Sequence, residues 1–349
     1  MRTLISLSTA ACLSLFAAAT TGLAADGHNT ANTIRMEAGH PDSFQHFAPE
    51  LAKMRARIAP INTDLGLHVS EIEPGLFFVN DQIYQSAFLV TDAGVVVFDA
   101  PPSIGERLRA VIETAAPGVP ITHLIMSHGH ADHNGGGFVF ADLPGLIVIA
   151  AQDVATAQLE TPLRGVLQPT QTFQEALDLT IGGVAIELRT TSFHAENSDT
   201  MIYLPQQKFL MAVDAITPGE VPFMNFGATT DVGAYFDSFD TFLAYDFDHF
   251  LAGHVSVSGN RDDVIAARDY ARDVRDTVAG LMPSFYDRFT VAMQAVDFQN
   301  GNLAYRQAIE SVRDECASQI INRWETELSA ADIWADSHCE TVVVYSIMH

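Results

Sequence analysis

The chain has 349 residues, with 43 acidic side chains against 18 basic ones and a formal net charge of −25. That balance argues against nucleic acid as a partner, because phosphate binding needs concentrated Lys and Arg, and it disfavours docking on an anionic membrane. The length is generous for one compact domain and short for two large ones.

Residues 1–25 read as a secretory signal: Arg2, an apolar stretch from Leu4 to Ala19, then small residues ending at Ala25. The stretch is short for a bilayer span and no stop-transfer charges follow it, so the mature protein is expected to be periplasmic or secreted, without a membrane partner once the signal is removed. Cys12 would leave with the signal. The remaining pair, Cys316 and Cys339, is a candidate disulfide in an oxidising compartment, worth about 3 kcal/mol for a loop of that length. Two separate buried thiols are the alternative.

A polar lead-in covers 26–66 and contains a helical patch, Pro49–Ile58. Strands are expected at Leu67–Ile72, Leu76–Val79, Ser86–Val90 and Val95–Phe98, punctuated by Pro-Gly and Asp-Ala-Gly turns. A helix over Ile104–Ala115 stops at Pro117-Gly118, and an apolar run, Ile121–Met126, leads into a histidine-rich stretch. A strand at Leu146–Ala151 follows, then a meander through Leu177–Ile181, Val184–Thr190, Met201–Leu204 and Lys208–Val213. Residues 235–246 look helical and 248–252 form a short strand. From 261 to 349 the pattern is a helical extension over Asp262–Leu281, Ser284–Val296 and Ala304–Leu328, with a last apolar run, Thr341–Ile347, open to strand or helix. Strands mixed with helices over 67–260 imply a layered α/β domain with its site at the sheet edges.

His128-Gly-His130-Ala-Asp132-His133 packs three imidazoles and a carboxylate into one turn, followed by Asn134 and three glycines. Neutral imidazole is the commonest protein ligand for zinc and similar ions. The i, i+2 spacing of His128 and His130 lets both converge on one side, while Asp132 and His133 turn elsewhere, so the run can feed two adjacent metals. His194, Asp214 and His254 each sit where an expected strand gives out, a common place for functional side chains. His28, His40, His46, His68, His123, His249 and His349 stand alone and are read as structural or surface residues.

The ordered series His-x-His-x-Asp-His at 128–133, then His194, Asp214 and His254, resembles the metallo-β-lactamase-fold superfamily over roughly 70–260. The resemblance implies a four-layer αβ/βα sandwich of two mixed sheets flanked by helices. It implies one metal on His128, His130 and His194, a second on Asp132, His133 and His254, and Asp214 bridging the two. Asp99, closing Val95–Phe98, matches an aspartate that supports the site from behind the ligands. The implied cofactor is two divalent ions, zinc first, with iron or manganese as alternatives. The implied chemistry is attack of a metal-bound hydroxide on the carbonyl of a small-molecule lactone, ester, thioester or amide-like substrate, with Asp132 orienting the hydroxide and taking its proton. Asp214 stands where β-lactamases proper tend to carry cysteine or serine, and Ala215 follows it where many acyl-homoserine lactonases carry tyrosine. A β-lactamase and a mononuclear iron sulfur dioxygenase of the same fold are the competing readings. Phe223, Met224 and Phe226, within Pro218–Phe226, are candidates for a pocket wall, and the helical C-terminus either caps the site or stabilises the domain or a homodimer.

Overall fold

Runs of β-branched and aromatic residues build the first layer. The structure is a computed structural model that describes residues 47–349; the expected signal segment and residues 26–46 of the lead-in lie outside the described residues. Within the expected helical patch, only one turn, α1 (Ala52–Arg55), is helical.

Seven strands then pair in sequence order: β1 (His68–Glu73), β2 (Leu76–Asn80), β3 (Gln85–Thr91), β4 (Gly94–Phe98), β5 (Ile121–Ile125), β6 (Ile147–Ala151) and β7 (Gln171–Phe173). The first four form an antiparallel meander, and the pairings from β4 to β7 are parallel. Antiparallel neighbours need only tight turns, whereas parallel ones need crossovers. α2 (Gly105–Ala115) bridges β4 to β5, and α4 (Gln152–Glu160) bridges β6 to β7; α3 (Ala131–Asn134) lies between β5 and β6. α4 and β7 were not legible in the sequence, because their polar residues show neither clean period. Every residue of β4 is buried, as expected for a strand covered on both faces.

A second sheet runs β12-β11-β10-β9-β8, made of β8 (Ala176–Ile181), β9 (Val184–Thr191), β10 (Asp199–Leu204), β11 (Phe209–Met211) and β12 (His249–Leu251). It is antiparallel except for the β11–β12 pair. Alternation along β10 separates two cores. Ile202 and Leu204 join Phe88, Val97, Leu124 and Ile149 in the apolar layer between the sheets. Met201 faces the other way, into a second core with Leu210, Phe250 and the helices behind. Those helices are α6 (Val232–Leu243), α7 (Arg261–Leu281), α9 (Gly301–Trp324) and α10 (Ala331–Met348), with α8 (Phe285–Ala295) between α7 and α9. The run left open between strand and helix, Thr341–Ile347, therefore lies in α10.

The result is the four-layer mixed α/β sandwich with a helical C-terminal region. The C-terminal helices share their core with the outer face of the second sheet: Val264, Tyr270, Val312, Cys316 and Val342 pack in the same cluster as Phe239 and Phe250. α7 starts on a capping box in which Asn260 accepts from the Asp263 amide and the Asp263 carboxylate accepts from the Asn260 amide. A disulfide, Cys316–Cys339, ties α9 to α10. Among the described residues no helix is long and apolar enough to cross a membrane.

Candidate metal centre

The six-residue cluster begins where β5 ends. His130 is still extended, at φ −77° and ψ 142°, and α3 starts immediately after it. His128 and His130 therefore leave an extended segment on one side, with rings 4.4 Å apart, while the helical turn swings Asp132 and His133 to the other. His194 comes from the loop after β9, Asp214 from the loop after β11 and His254 from the loop after β12.

The structure brings all seven expected residues together around the Asp214 carboxylate. Its Oδ2 lies 3.3 Å from His128 Nε2, 3.8 Å from His130 Nδ1 and 3.8 Å from His194 Nε2. Its Oδ1 lies 3.1 Å from His133 Nε2 and 3.2 Å from His254 Nε2. Asp132 Oδ2 completes the second set at 3.6 Å and 3.7 Å from the same two nitrogens. In each set the donor atoms fall within 4.8 Å of one another. His128 Nε2 and Asp214 Oδ1 are buried without a hydrogen bond, although an unpaired buried polar atom costs about 1–3 kcal/mol. These two donor atoms thus keep lone pairs unspent at the point where the other donors converge, which fits metal binding by the cluster.

Burial and the clustered carboxylates act on the site in opposite directions. Burial opposes a charge on His133, yet the carboxylates of Asp214, Asp99 and Asp132 overcome it and raise its pKa to about 9. Burial also opposes the Asp214 carboxylate, but the surrounding imidazoles hold it well below the usual range. His128 is pushed down to about 4 by burial and so stays neutral, the form a metal requires.

A layer of supporting side chains aims these ligands. Asp99, at φ 58° and fully buried, accepts from the Ser127 amide at 2.7 Å and from the Ser127 hydroxyl at 2.6 Å. The Ser127 hydroxyl in turn lies 2.9 Å from His128 Nδ1, so the Asp99 support reaches the ligand through Ser127. Burial lifts the Asp99 pKa to about 6. Asp199 lies 2.6 Å from His194 Nδ1 and turns Nε2 toward the centre, where it also lies 3.0 Å from the Gly227 carbonyl. Tyr84 reaches Asp132 Oδ2 from 3.4 Å. Ser127 and Asp199 sit within five residues of a ligand and could have been suspected; Tyr84 carries no local signal. Gly253, at φ 89°, lies so close to His133 that a Cβ there would approach its ring to 2.9 Å.

Beside the metal-facing groups opens a cavity of about 310 Å³ whose walls include Ile216, Glu220, Val221, Phe223, Val255 and Trp334. Gly227 and Ala228 line it from the segment Met224–Ala228, α5, in which Asn225, Phe226, Gly227 and Ala228 all have positive φ. Gly227 is pressed so tightly on Asp214 that a Cβ would sit 2.4 Å from its carbonyl oxygen. Of the three apolar residues expected to face substrate, Phe223 does. Phe226 is instead buried and stacks on His338 at 4.4 Å, and Met224 is exposed off the wall. The kinked backbone turns successive side chains to opposite sides. Trp334, on α10, meets Phe223 edge to face at 5.0 Å. The C-terminal extension therefore reaches the cavity, a contribution with no trace in local sequence.

Residues 80–267 match the family model of the metallo-beta-lactamase superfamily. The 2,4-dinitroanisole O-demethylase subunit alpha of Nocardioides sp. (strain JS1661) is 25% identical over 180 residues, or 50% of this chain and 54% of that protein. The chain thus spans about half the length of the curated relative it matches. Among solved structures, the stereoselective inverting sec-alkylsulfatase Pisa1 from Pseudomonas sp. is similar in fold, with a TM-score of 0.57 and 17% identity over 79% of this chain and 50% of that one. A metallo-beta-lactamase from Pontibacter korlensis matches 58% of this chain and 97% of its own at 20% identity and a TM-score of 0.49. The family match takes in every one of the clustered ligand-type residues and more than half of the chain. The chain belongs to the metallo-beta-lactamase superfamily.

Proposed function

We propose that this chain is a dinuclear, zinc-dependent hydrolase that uses water to cleave a small lactone, ester, thioester or amide-like substrate. The observation that carries the reading is the Asp214 carboxylate, whose two oxygens each face a different set of donors. His128, His130 and His194 would hold one ion, Asp132, His133 and His254 the other, and Asp214 both; the imidazole-rich donor set suits zinc. Such an ion pair supplies a water acidic enough to attack near neutral pH and a Lewis acid for the substrate oxygen.

The chain's own groups do the rest. Asp132 is half exposed toward the cavity, with its Oδ2 near His133 and His254, and is placed to orient the attacking water and accept its proton. Tyr84 fixes that carboxylate from behind. The apolar wall from Ile216 to Trp334 excludes water from the substrate body. Export belongs to the same reading, supported by the Cys316–Cys339 bond. Hydrolytic cleavage of an aryl methyl ether is a second reading, favoured by the name of the O-demethylase relative that matches this chain.

A hydrolysis panel of esters, lactones, thioesters and an aryl methyl ether, run with and without chelator, tests the proposal. Turnover should vanish on metal removal and return with zinc. Asp214→Asn should lower it by at least about 100-fold and reduce the bound metal, since even supporting residues around a metal are worth 10–100-fold. Turnover that survives complete metal removal would sink the reading. Turnover that consumes oxygen with a persulfide would replace it with the dioxygenase.

A further inference from the structure

Glu220 is the one carboxylate of the cavity wall that stands outside the metal-facing set. It is half-buried, and among the described residues its carboxyl takes part in no hydrogen bond or ion pair. Two basic residues of the nearby N-terminal segment are engaged elsewhere: Lys53 with Glu327 at 3.0 Å and Arg57 with Asp263 at 2.6 Å. Burial, reinforced by the repelling charge of Glu50, raises the Glu220 pKa to about 7. Its backbone is nevertheless well fixed. Val221 N donates to Ser329 O, and Ser329 N donates to Gly219 O, both at 3.0 Å, so residue 220 is clamped on either side.

The same cavity exposes two aromatic rings. Phe223 keeps 53% of its surface exposed, and it meets Trp334 at 5.0 Å with the rings inclined by 63°. Aromatic faces attract cations through their quadrupole, and a half-buried carboxylate without a partner gains from a counter-charge brought in by a ligand. Neutral apolar ligands would use the rings and leave the carboxylate stranded. Anionic ligands would add a repulsion to it.

We propose that this cavity is a recognition subsite for an organic cation, with a positively charged nitrogen on the non-reacting end of the substrate seated between Glu220 and the Phe223–Trp334 pair. The proposal rests on the hydrolase reading only for which end of the ligand reacts; binding is independent of turnover. It names Glu220 and Trp334 as specificity-determining residues.

Choline and its neutral isostere 3,3-dimethylbutan-1-ol are titrated into the full chain by calorimetry, for the unsubstituted protein, Glu220→Gln and Trp334→Leu. Choline should bind at least about tenfold more tightly than the alcohol, a margin of about 1.4 kcal/mol. Glu220→Gln, which preserves shape, should shrink that margin to less than about threefold and leave the alcohol unchanged. Trp334→Leu should weaken both ligands, and choline more. Equal binding of the two ligands, or a margin untouched by Glu220→Gln, overturns the subsite. Hydrolysis of acetylcholine against 3,3-dimethylbutyl acetate separates the two claims. A choline margin with neither ester cleaved, and no other panel substrate turned over, leaves the subsite standing and the hydrolase reading refuted. Equal cleavage of both esters does the reverse.

Discussion

The seven-stranded half of the molecule delivers four metal-facing side chains from one six-residue turn, whereas the five-stranded half delivers His194, Asp214 and His254 from three separate strand ends. The first arrangement is fixed locally: an extended segment, then one helical turn, then a buried Asn134 that donates to the His128 carbonyl at 3.1 Å. The second depends on contacts made across long stretches of chain, including the C-terminal helix that supplies Trp334 to the cavity. Short-range structure therefore sets four of the seven metal-facing side chains, while His194, Asp214, His254 and the substrate-facing wall rest on packing of the second half. The contrast predicts which substitutions act on the whole molecule and which on one side alone.

The largest effect should come from the seam between the halves. Gln85, fully buried on β3, donates from Nε2 to the carbonyls of His254 at 2.6 Å, Val255 at 2.9 Å and Val257 at 2.8 Å. Its Oε1 accepts from the amides of Ala252 at 3.2 Å and Gly253 at 3.3 Å. One side chain of the first sheet thus holds the whole loop that carries a ligand of the second. Gln85→Ala leaves several backbone groups buried without partners and should cost about 3–5 kcal/mol in urea unfolding, with displacement of His254. A loss under about 1 kcal/mol would mean that the halves do not need this seam.

Legibility followed the same division. The strands and helices around the cluster could be read because alternation and 3.6-residue spacing report burial of neighbouring residues, and Val95–Phe98 or Asp262–Leu281 needed nothing further. The ligand series could be read because metal chemistry demands a dense and unusual residue set. Gln85 could not, since its five partners lie more than 160 residues away and a glutamine near a strand start has no pattern of its own. Phe226 turns away from the cavity for a related reason: its positive φ and its stacking on His338, 112 residues away in sequence, have no glycine or asparagine signal at that residue. Trp334 and Glu220 line one cavity although 114 positions separate them, joined by pairings such as Val221 with Ser329 and Phe223 with His338.

The next effect in size should be confined to the helical side. The Cys316–Cys339 bond closes a separation of 23 residues between α9 and α10, both cysteines being fully buried. Replacing the pair with alanine should cost about 3 kcal/mol, chiefly by freeing the unfolded chain. Hydrogen exchange should quicken in α10 at conditions where β3–β5 amides remain protected. Equal loosening of both regions would show that the two halves unfold as one unit and would blunt the comparison.

The smallest effect is conditional on pH and isolates a single contact between α10 and the cavity wall. His338 is fully buried; its Nε2 donates to the Phe223 carbonyl at 3.0 Å and its Nδ1 accepts from the Tyr270 hydroxyl at 2.8 Å. The bond accepted from Tyr270 requires the neutral ring, and burial pushes the pKa down to about 4 from an ordinary value of 6.5. Between those values the unfolded chain binds a proton that the folded chain refuses, so stability is complete above 6.5 and falls as the pH drops toward 4. The loss from this one group, complete below pH 4, is on the order of 3 kcal/mol. His338→Gln lacks the titrating ring, so it should be less stable than the parent at pH 7 and approach it at pH 5, where the parent has lost part of its advantage. Carboxylates that titrate in both proteins cancel in the difference. Parallel melting temperatures across that range would show that His338 is solvated or charged in the folded chain, and that the wall at Phe223 is held by the rest of α10 without it.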